Sequence, residues 1–479
     1  MPLEGNLMDI IYDATVRNWD GTWTYRPRVL VTPRTPEDIV AIMRDPVRFP
    51  SPVRPAGAMH STTRMNGNED GGTMVDMKAM NRILGFGKDT VTVEAGATHV
   101  TVANALKERG MQFYVMTEIG NVTLGAFATA ATKDSSFPGG FGQVGSYVTG
   151  LRLVTPKGEI KAVTERDNPE EMRLLRSSYG LFGIVFEVTI RVRPTTALSV
   201  RHVSLSLPEF RKNFPGYKAQ GYAVMYYLFP FARRVVVELR KDNPAVPPTS
   251  YRPWKYRARF WRKYGPAGAQ WIAAHVRSRP LRNLADRLHF LLLRQALVRG
   301  LRNDRSWPHA QIITYPRDPG SNKYFFSMWA FDEARFFDIL EEYCDFCMDY
   351  EKKTGYRCDL PGVGYAIAQD QKSLLSYSWD FYTLCIDPTS TGGEKWERFL
   401  RVYNDFCCTR GGLPLFNQTP FLTREQVKQA FGKRLADFAK ARREADPEDR
   451  LLDNYFRELL ADTESVGVRS PIPATVRTS

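Results

Sequence analysis

A chain that does chemistry needs a nucleophile, a base or a metal ligand, and this one holds only six histidines in 479 residues. One of them, His60, lies in RPAGAMHSTT (54–63), a run of small and hydroxylated residues. Nothing beside it resembles a metal site or a catalytic triad. A second candidate is GGFGQVG (139–145), which contains G-x-G-x-x-G as Gly140, Gly142 and Gly145. A dinucleotide-binding Rossmann turn needs a strand before the motif and a helix after it. Here TKDSSFP precedes it and the strand-like SYVTGLRLV follows, so the context is wrong. A backbone loop lying against a large planar ligand remains open, because glycine permits close approach. A third candidate is the cysteines, all six of which fall between Cys344 and Cys408. Cys344-x-x-Cys347 and Cys407-Cys408 could frame a zinc site. The helical pattern of FDILEEYCDFCMDYEKKTG instead makes them small apolar fillers, and no metal is expected.

The elements that must position these residues are legible in outline. PRVLVTPRTPEDIVAIMR (27–44) predicts a strand, a proline turn and a helix capped by Thr35, with Pro36 first and acids in the first turn. TMVDM (73–77) and TVTVEAG (90–96) alternate as strands do, and HVTVANALKERG (99–110) predicts a helix stopped at Gly110. NVTLGAFATAATKDSS (121–136) is a run of small residues. YVTGLRLVTPKGEIKAV (147–163) predicts a hairpin turning at Pro156-Lys157-Gly158. EEMRLLRSSYGLFGIVFEVTIRVRP (170–194) predicts a helix, a glycine-broken turn and a long strand. Strands and helices interleave, which is an α+β pattern, with a boundary near Pro194. Beyond it come mixed strands, including SYSWDFYTLCIDPT (376–389), and a charged helical stretch at 423–452. The tail after Ser465 is polar and is expected to fray.

The length exceeds one compact core, and a hydrophobic fraction of 43% is that of a globular chain. No apolar run is long enough for a transmembrane helix. The N-terminal stretch shows no secretory pattern, which with unpaired cysteines predicts a cytoplasmic, reducing location. The formal charge is +14, and the excess gathers between Arg252 and Arg305, where basic residues alternate with Trp254, Phe260, Trp261, Trp271 and a leucine run at 291–293. Phosphates and stacked bases would use such a mixture, and so would anionic head groups above an acyl boundary. No nucleic-acid motif accompanies it, so no nucleic acid is expected. The open readings are a solvated pair of helices capping a domain and a peripheral site at the inner face of an anionic membrane.

Six stretches come in one order: VRPAGAMHSTT, GGTMVDMKAMNRIL, TVTVEAGATHVTVANALKERG, EIGNVTLGAFATAATKDSS, GLRLVTPKGEI and RSSYGLFGIVFEVTIRVRP. This order resembles the FAD-binding domain of the vanillyl-alcohol oxidase and p-cresol methylhydroxylase superfamily, the PCMH type. The resemblance implies a two-subdomain α+β FAD-binding domain over 25–196 after an N-terminal segment, 1–24. An α+β substrate or cap domain would follow over 197–420, with a helical insertion at 251–305. A helical segment, 421–465, would pack back on the FAD domain ahead of a flexible tail, 466–479. It implies FAD as cofactor. Ala56, Gly57, Ala58, Met59, Ser61 and Thr62 would form the pyrophosphate nest. Gly125, Thr129 and Thr132 would make a second wall preceded by Glu118, Ile119 and Thr123, and Ser135 and Ser136 would offer hydroxyl donors. Gly183, Ile184 and Val185 would meet the adenine side. His60 matches the position that in many members is bonded covalently to the flavin, and the alternative for it is a non-covalent neighbour or a core histidine. No cysteine precedes Cys344, which leaves none in that domain to serve as an attachment point.

The later part looks distantly like the aldonolactone and alditol oxidases, the polyprenyl-phosphoryl ribose oxidases and the sterol Δ24-reductases. It departs from the sugar-oxidising pattern: Gly364 and Ala366 stand where that branch has Glu-x-Arg. Leu415–Gln418 reads LFNQ, with Gln418 in place of a lysine. Leu415, Phe416 and Tyr365 would make an apolar pocket, with Gln418, Asn417, Asp370 and Tyr365 as the polar candidates near the flavin's reactive face. The implied activity is that of an FAD-dependent oxidase or dehydrogenase. It would remove hydride from an alcohol-type C–H of a small lipophilic or aromatic substrate and pass electrons to oxygen or another acceptor. A sugar or aldonolactone oxidase and a flavin-binding partner protein without turnover are the alternatives.

Overall fold

Local signals build the first layer. Thr35 accepts a hydrogen bond from the Asp38 amide, Asp38 accepts one from the Thr35 amide, and Pro36 opens the helix Pro36–Arg44. That helix connects Val29–Thr32 to Val53–Ala56, and the two strands lie on either side of Thr73–Asp76, both parallel to it. Asp9–Tyr12 adds itself antiparallel at the edge, so part of the segment expected to stand apart as 1–24 belongs to this sheet. The computed structural model describes residues 8–67, 70–276, 278–315 and 322–461, and the tail after Ser465 lies outside them.

A second, antiparallel sheet runs Ile160–Thr164, Val148–Val154, Ile184–Pro194, Thr90–Glu94, Ile83–Phe86, with Met111–Phe113 on the far end of Ile184–Pro194. The helix His99–Glu108 is capped by Thr98, and Gly110 takes the left-handed conformation just beyond its end. One apolar core joins these two sheets, and the helix Leu124–Thr129 contributes Leu124 and Phe127 to it.

Past Pro194 the chain changes sheet. Ala197–Ser206 starts a nine-stranded sheet in the order Asn303–Ser306, Ala197–Ser206, Arg234–Asn243, Ala223–Phe229, Leu360–Ile367, Thr383–Ser390, Trp329–Asp332, Leu413–Pro414, with Phe325–Phe326 beside Thr383–Ser390. The stretch expected as a strand over 376–389 is one only from Thr383. Before that, the Ser376 amide donates to the Ser373 carbonyl and the Ser378 amide to the Ser376 hydroxyl, local bonds that hold the chain in turns. Helices Leu207–Ala219, Glu333–Thr354 and Glu394–Cys408 cover one face of this sheet. Cys344, Cys347, Cys407 and Cys408 lie in that layer as apolar fill, and burial pushes the Cys344 thiol up to about 12.

The basic stretch folds as Pro253–Arg259, a π-helical turn Phe260–Tyr264, Gly265–His275 and Arg279–Gly300. Its aromatic residues divide. Trp254 and Trp261 are buried in the cap, whereas Phe260, Trp271, Leu291 and Leu292 are exposed. Arg257 turns inward from the same stretch. The last helices, Arg424–Phe431, Lys433–Ala445 and Asn454–Leu460, return to the N-terminal domain and share its core through Val427, Phe438 and Phe456. Two buried arginines clamp them there. Arg54 pairs with Asp453 at 3.0 Å and donates to the carbonyls of Tyr179, Met65 and Leu451. Arg450 donates to the carbonyls of Ile42 and Phe49.

The glycine motif serves packing. A Cβ on Gly142 would collide with the Ala368 carbonyl, and one on Gly140 would stand 2.6 Å from the Tyr147 hydroxyl. The close approaches are to Ala368 of the cap and to Tyr147 of the same domain.

Candidate functional site

A cleft runs between the N-terminal domain and the cap. Its deeper part is walled by backbone and small side chains: Ala56, Gly57, Thr123, Gly125, Thr129 and Gly183, with Val185 beside them. Gly57 has to be glycine, because a Cβ there would collide with the Thr123 side chain. Gly183 lies at a φ of 152° with its Cα facing the Val154 carbonyl, a position no larger residue fits. The wider part is continuous with the deeper one through Gly57, Met65, Asn66, Thr123, Ala126 and Ala130. It encloses about 1320 Å³, some of it open to solvent.

The loop Gly57–Ser61 carries His60 into the wider part. Met59 takes a left-handed φ of 59°, and the Trp19 amide donates to the Met59 carbonyl at 3.0 Å, fixing the turn. The Trp19 ring lies 5.3 Å from the imidazole, centroid to centroid. Trp19 is adjacent in turn to Tyr315 and Tyr324.

The cap wall follows the two-residue period of its strands. Met225 and Tyr227 face the cleft, while Val224, Tyr226 and Leu228 face the helices behind the sheet. Val363 and Tyr365 on the next strand, and Asp387 and Thr389 on the one after, continue the wall, with Trp261, Tyr324 and Phe326 completing it. Three sets of buried charges stand in or behind it. Lys133 Nζ lies 2.8 Å from Asp387 Oδ2 and 3.9 Å from the centre of the Tyr365 ring. Arg240 joins Asp134 at 3.0 Å to Glu238, which meets His202 at 2.8 Å. Arg257 donates to Glu118 at 2.9 Å and to the Tyr227 hydroxyl at 3.2 Å, and the Tyr315 hydroxyl donates to the other Glu118 oxygen. Burial pushes the Asp387 carboxyl up to about 6 against the opposing pull of Lys133. Burial likewise raises Asp134 above the ordinary carboxylate range, with Arg240 pulling the other way. Lys133 and Asp387 are absent from the candidates the sequence offered. Lys133 sits inside the recognised run of small residues, but its partner is 254 positions away.

The residues expected at a site divide as follows. Ala56, Gly57, Ala58, Met59, His60, Ser61, Ile119, Thr123, Gly125, Thr129, Thr132, Gly183 and Val185 line the cleft, as do Tyr365, Asn417 and Gln418. Glu118 lines it too, with its carboxylate already engaged. Others turn away. Thr62 is buried, its amide donating to the Asn417 carbonyl, so it joins the two domains. The Ser135 hydroxyl donates to the Val224 carbonyl and the Ser136 hydroxyl to the Phe141 carbonyl. Ile184 points into the core between its cleft-facing neighbours, as strand alternation requires. Asp370 accepts from the Gln143 and Lys372 amides and holds a loop. Leu415 and Phe416 are core residues, with Phe416 packed on Tyr179 and Phe431, so the expected pocket wall lies elsewhere, at Tyr227, Trp261 and Tyr324.

Residues 27–164 match the family model described as FAD binding domain. This part of the chain is an FAD-binding domain. L-gulonolactone oxidase of Scyliorhinus torazame is 23% identical over 92% of this chain and 97% of its own length. D-arabinono-1,4-lactone oxidase of Candida glabrata is 23% identical, and L-galactono-1,4-lactone dehydrogenase of Arabidopsis thaliana 30% identical, over 46% and 47% of this chain. Those two matches span only 42% and 36% of the relatives' own lengths. Among solved structures, cholesterol oxidase from B. sterolicum superposes with a TM-score of 0.76 at 14% identity, covering 96% of this chain and 99% of that one. Xylooligosaccharide oxidase from Myceliophthora thermophila C1 gives 0.66 at 14% identity over 92% and 93%. These likenesses establish the fold.

The residues present fit FAD, the cofactor of this domain. The small-residue wall leaves room for a pyrophosphate against backbone amides. In the wider part, Asn66 Nδ2, Asn417 Oδ1 and Gln418 Oε1 are buried without a hydrogen-bond partner among the described residues. Buried polar atoms are ordinarily satisfied, so these fit the polar edge of a ligand carrying donors and acceptors.

Proposed function

We propose that the protein is an FAD-dependent oxidoreductase acting on an alcohol-type C–H of a small lipophilic or aromatic substrate, with electrons passing to oxygen or another acceptor. Bound FAD supplies the two-electron acceptor. The observation that carries the substrate class is the cap wall, where Met225, Tyr227, Trp261, Tyr324, Phe326 and Val363 face the FAD-binding domain. A sugar would leave most of its hydroxyls without partners against that surface, and each buried unsatisfied group costs roughly 1–3 kcal/mol. Gly364 and Ala366 bring no polar side chain to it.

The protein's own groups position the reaction. Asn417 and Gln418 offer side-chain oxygens to donors on the cofactor or the substrate. His60 is proposed as the covalent anchor of the flavin. The new C–N bond would replace an imidazole N–H and a methyl C–H, and the acceptor would remove the two electrons and two protons released. Yellow colour that survives acid precipitation of the protein, and that His60→Ala releases, is the expected result. A protein that takes up no flavin under any refolding condition would overturn the reading.

A second reading, oxidation of an aldonolactone, is favoured by the named activities of the relatives. A panel of aldonolactones, simple sugars, cinnamyl alcohol and geraniol, added anaerobically while flavin bleaching is followed, separates the two.

We also propose that the exposed apolar residues of the basic stretch meet an anionic lipid surface, at the cytoplasmic side of a membrane. Leu281, Leu284, Leu288, Leu291 and Leu292 are all at least half exposed, and fourteen arginines and lysines stand against two aspartates between 251 and 305. Trp261, from the same stretch, reaches the cleft. Flotation with anionic but not with neutral liposomes is expected, and binding to neither would refute it.

A further inference from the structure

Resting on that reading, we propose that Asp387, held against Lys133, takes the hydroxyl proton of the substrate, and that the cleft accepts a lipophilic alcohol through a single hydroxyl. The geometry distinguishes it from the other carboxylates of the cleft by its partners. Three carboxylates line the wider cleft: Glu118, Asp134 and Asp387. Glu118 has one oxygen on Arg257 and the other on Tyr315. Asp134 takes both the Arg240 guanidinium and the Ser135 amide on one oxygen, Oδ1. Asp387 gives one oxygen, Oδ2, to Lys133. Its other oxygen, Oδ1, is buried without a hydrogen-bond partner among the described residues. Asn417 and Gln418 carry amides, which do not accept a proton near neutral pH.

The pair is built for this task. The side chains of Lys133 and Asp387 are 6% and 4% exposed, so neither charge is screened by water. Lys133 leans on the Tyr365 ring, which fixes the ammonium on the Oδ2 side of the carboxylate. The other charges nearby are paired with one another, Asp134 with Arg240 and Glu118 with Arg257. Burial holds the neighbouring Tyr226, Tyr365, Tyr377, Tyr403 and Cys385 well above their ordinary pKa, so they stay neutral while Asp387 titrates. Lys133 is neutralised by its partner, so the site offers no net positive charge to an anionic substrate.

In the step itself the O–H proton passes to Asp387 Oδ1 and the O–H electron pair becomes the second carbon–oxygen bond. Bound FAD would supply the two-electron acceptor for the hydride lost from the carbinol carbon. The alcohol would be oxidised by two electrons to the carbonyl compound, bound FAD would take up those two electrons, and Asp387 would later return its proton to solvent.

The test uses the full, flavin-loaded chain. Infrared difference titration without substrate is expected to show a protonated carboxyl disappearing as the pH rises through about 6. That band should vanish in Asp387→Asn and move to higher pH in Lys133→Met, which removes the cation favouring the ionised form. Bleaching by cinnamyl alcohol or geraniol is expected to rise with pH through the same midpoint. It should fall roughly 10²–10⁴-fold in Asp387→Asn at unchanged flavin content. If no alcohol bleaches the flavin, the proposed function fails and this inference with it. If an alcohol does, and Asp387→Asn keeps the rate and its pH limb, this inference alone fails. Should Asp387→Asn not fold, a pH midpoint that Lys133→Met leaves in place overturns it.

Discussion

The two walls of the cleft are made of different material. The N-terminal wall is mostly backbone and small residues, glycine, alanine, serine and threonine, with His60, Asn66, Glu118, Lys133 and Asp134 set among them. The cap wall is aromatic rings beside Asp387, which reaches across to Lys133 of the other wall, and it is the wall proposed to pack the substrate and take its proton. The first is assembled largely from three neighbouring stretches of chain, 54–66, 117–134 and 180–185, whereas the second draws on strands from Met225 to Thr389. Holding a phosphate-bearing cofactor asks for close backbone approach, which short local motifs deliver. Choosing a substrate asks for side chains converging from several directions, which only the tertiary fold delivers.

Changes on each wall should therefore fail in different ways. The largest expected effect is Gly57→Leu, which puts a branched side chain where even a Cβ collides with Thr123. Flavin content should drop to background while far-ultraviolet circular dichroism stays native. Flavin retained at the wild-type ratio would break the comparison. Asp387→Asn is its mirror image, with flavin kept and turnover lost. Arg54→Met comes next. It leaves Asp453 charged and buried behind the cofactor wall, and denaturant unfolding should show a loss of about 3–5 kcal/mol. Trp261→Ala acts on the cap wall, far from the ion pair in sequence. It should raise KM for lipophilic alcohols on the order of 10-fold with kcat little changed, as the loss of uniform binding does. An equal fall in kcat would make Trp261 part of the chemistry instead.

The smallest effect tests the rigidity of the cofactor wall. His99 is buried between Phe113 and Phe127, the latter on the helix Leu124–Thr129, and burial pulls its pKa down to about 3. In the unfolded chain it titrates near 6.5. Its depressed folded pKa gives stability that is present above about 6.5 and is lost as the pH falls towards about 3. Urea midpoints at pH 7 and pH 5 should therefore differ more for wild type than for His99→Gln, and equal differences would remove His99 from this account.

The same contrast explains what the sequence disclosed. Helix caps, the hairpin at Pro156–Gly158 and the order of the six motifs are local, so the N-terminal elements could be read directly. Ser135 and Ser136 have the right chemistry for a cofactor donor and the wrong direction, because Ser135 bonds a cap strand and Ser136 a nearby loop. Leu415 and Phe416 are neighbours of Gln418 in the chain and not in the cleft. The Gln418 amide donates to the Leu415 carbonyl, and this turn sends Phe416 into the core and Gln418 into the cleft. Lys133 and Asp387 gave no signal at all, since a pair formed across two domains has no spacing to recognise. The basic stretch was legible in composition only. Its turns decide that Trp261 lines the cleft, Arg257 neutralises Glu118 and Leu292 faces out.

The most direct test of the central claim, one cleft with a cofactor wall and a substrate wall of opposite character, is anaerobic flavin bleaching by wild type across the panel. The account predicts that cinnamyl alcohol or geraniol bleaches the bound flavin and that aldonolactones do not. Rapid bleaching by an aldonolactone with none by either lipophilic alcohol would contradict it.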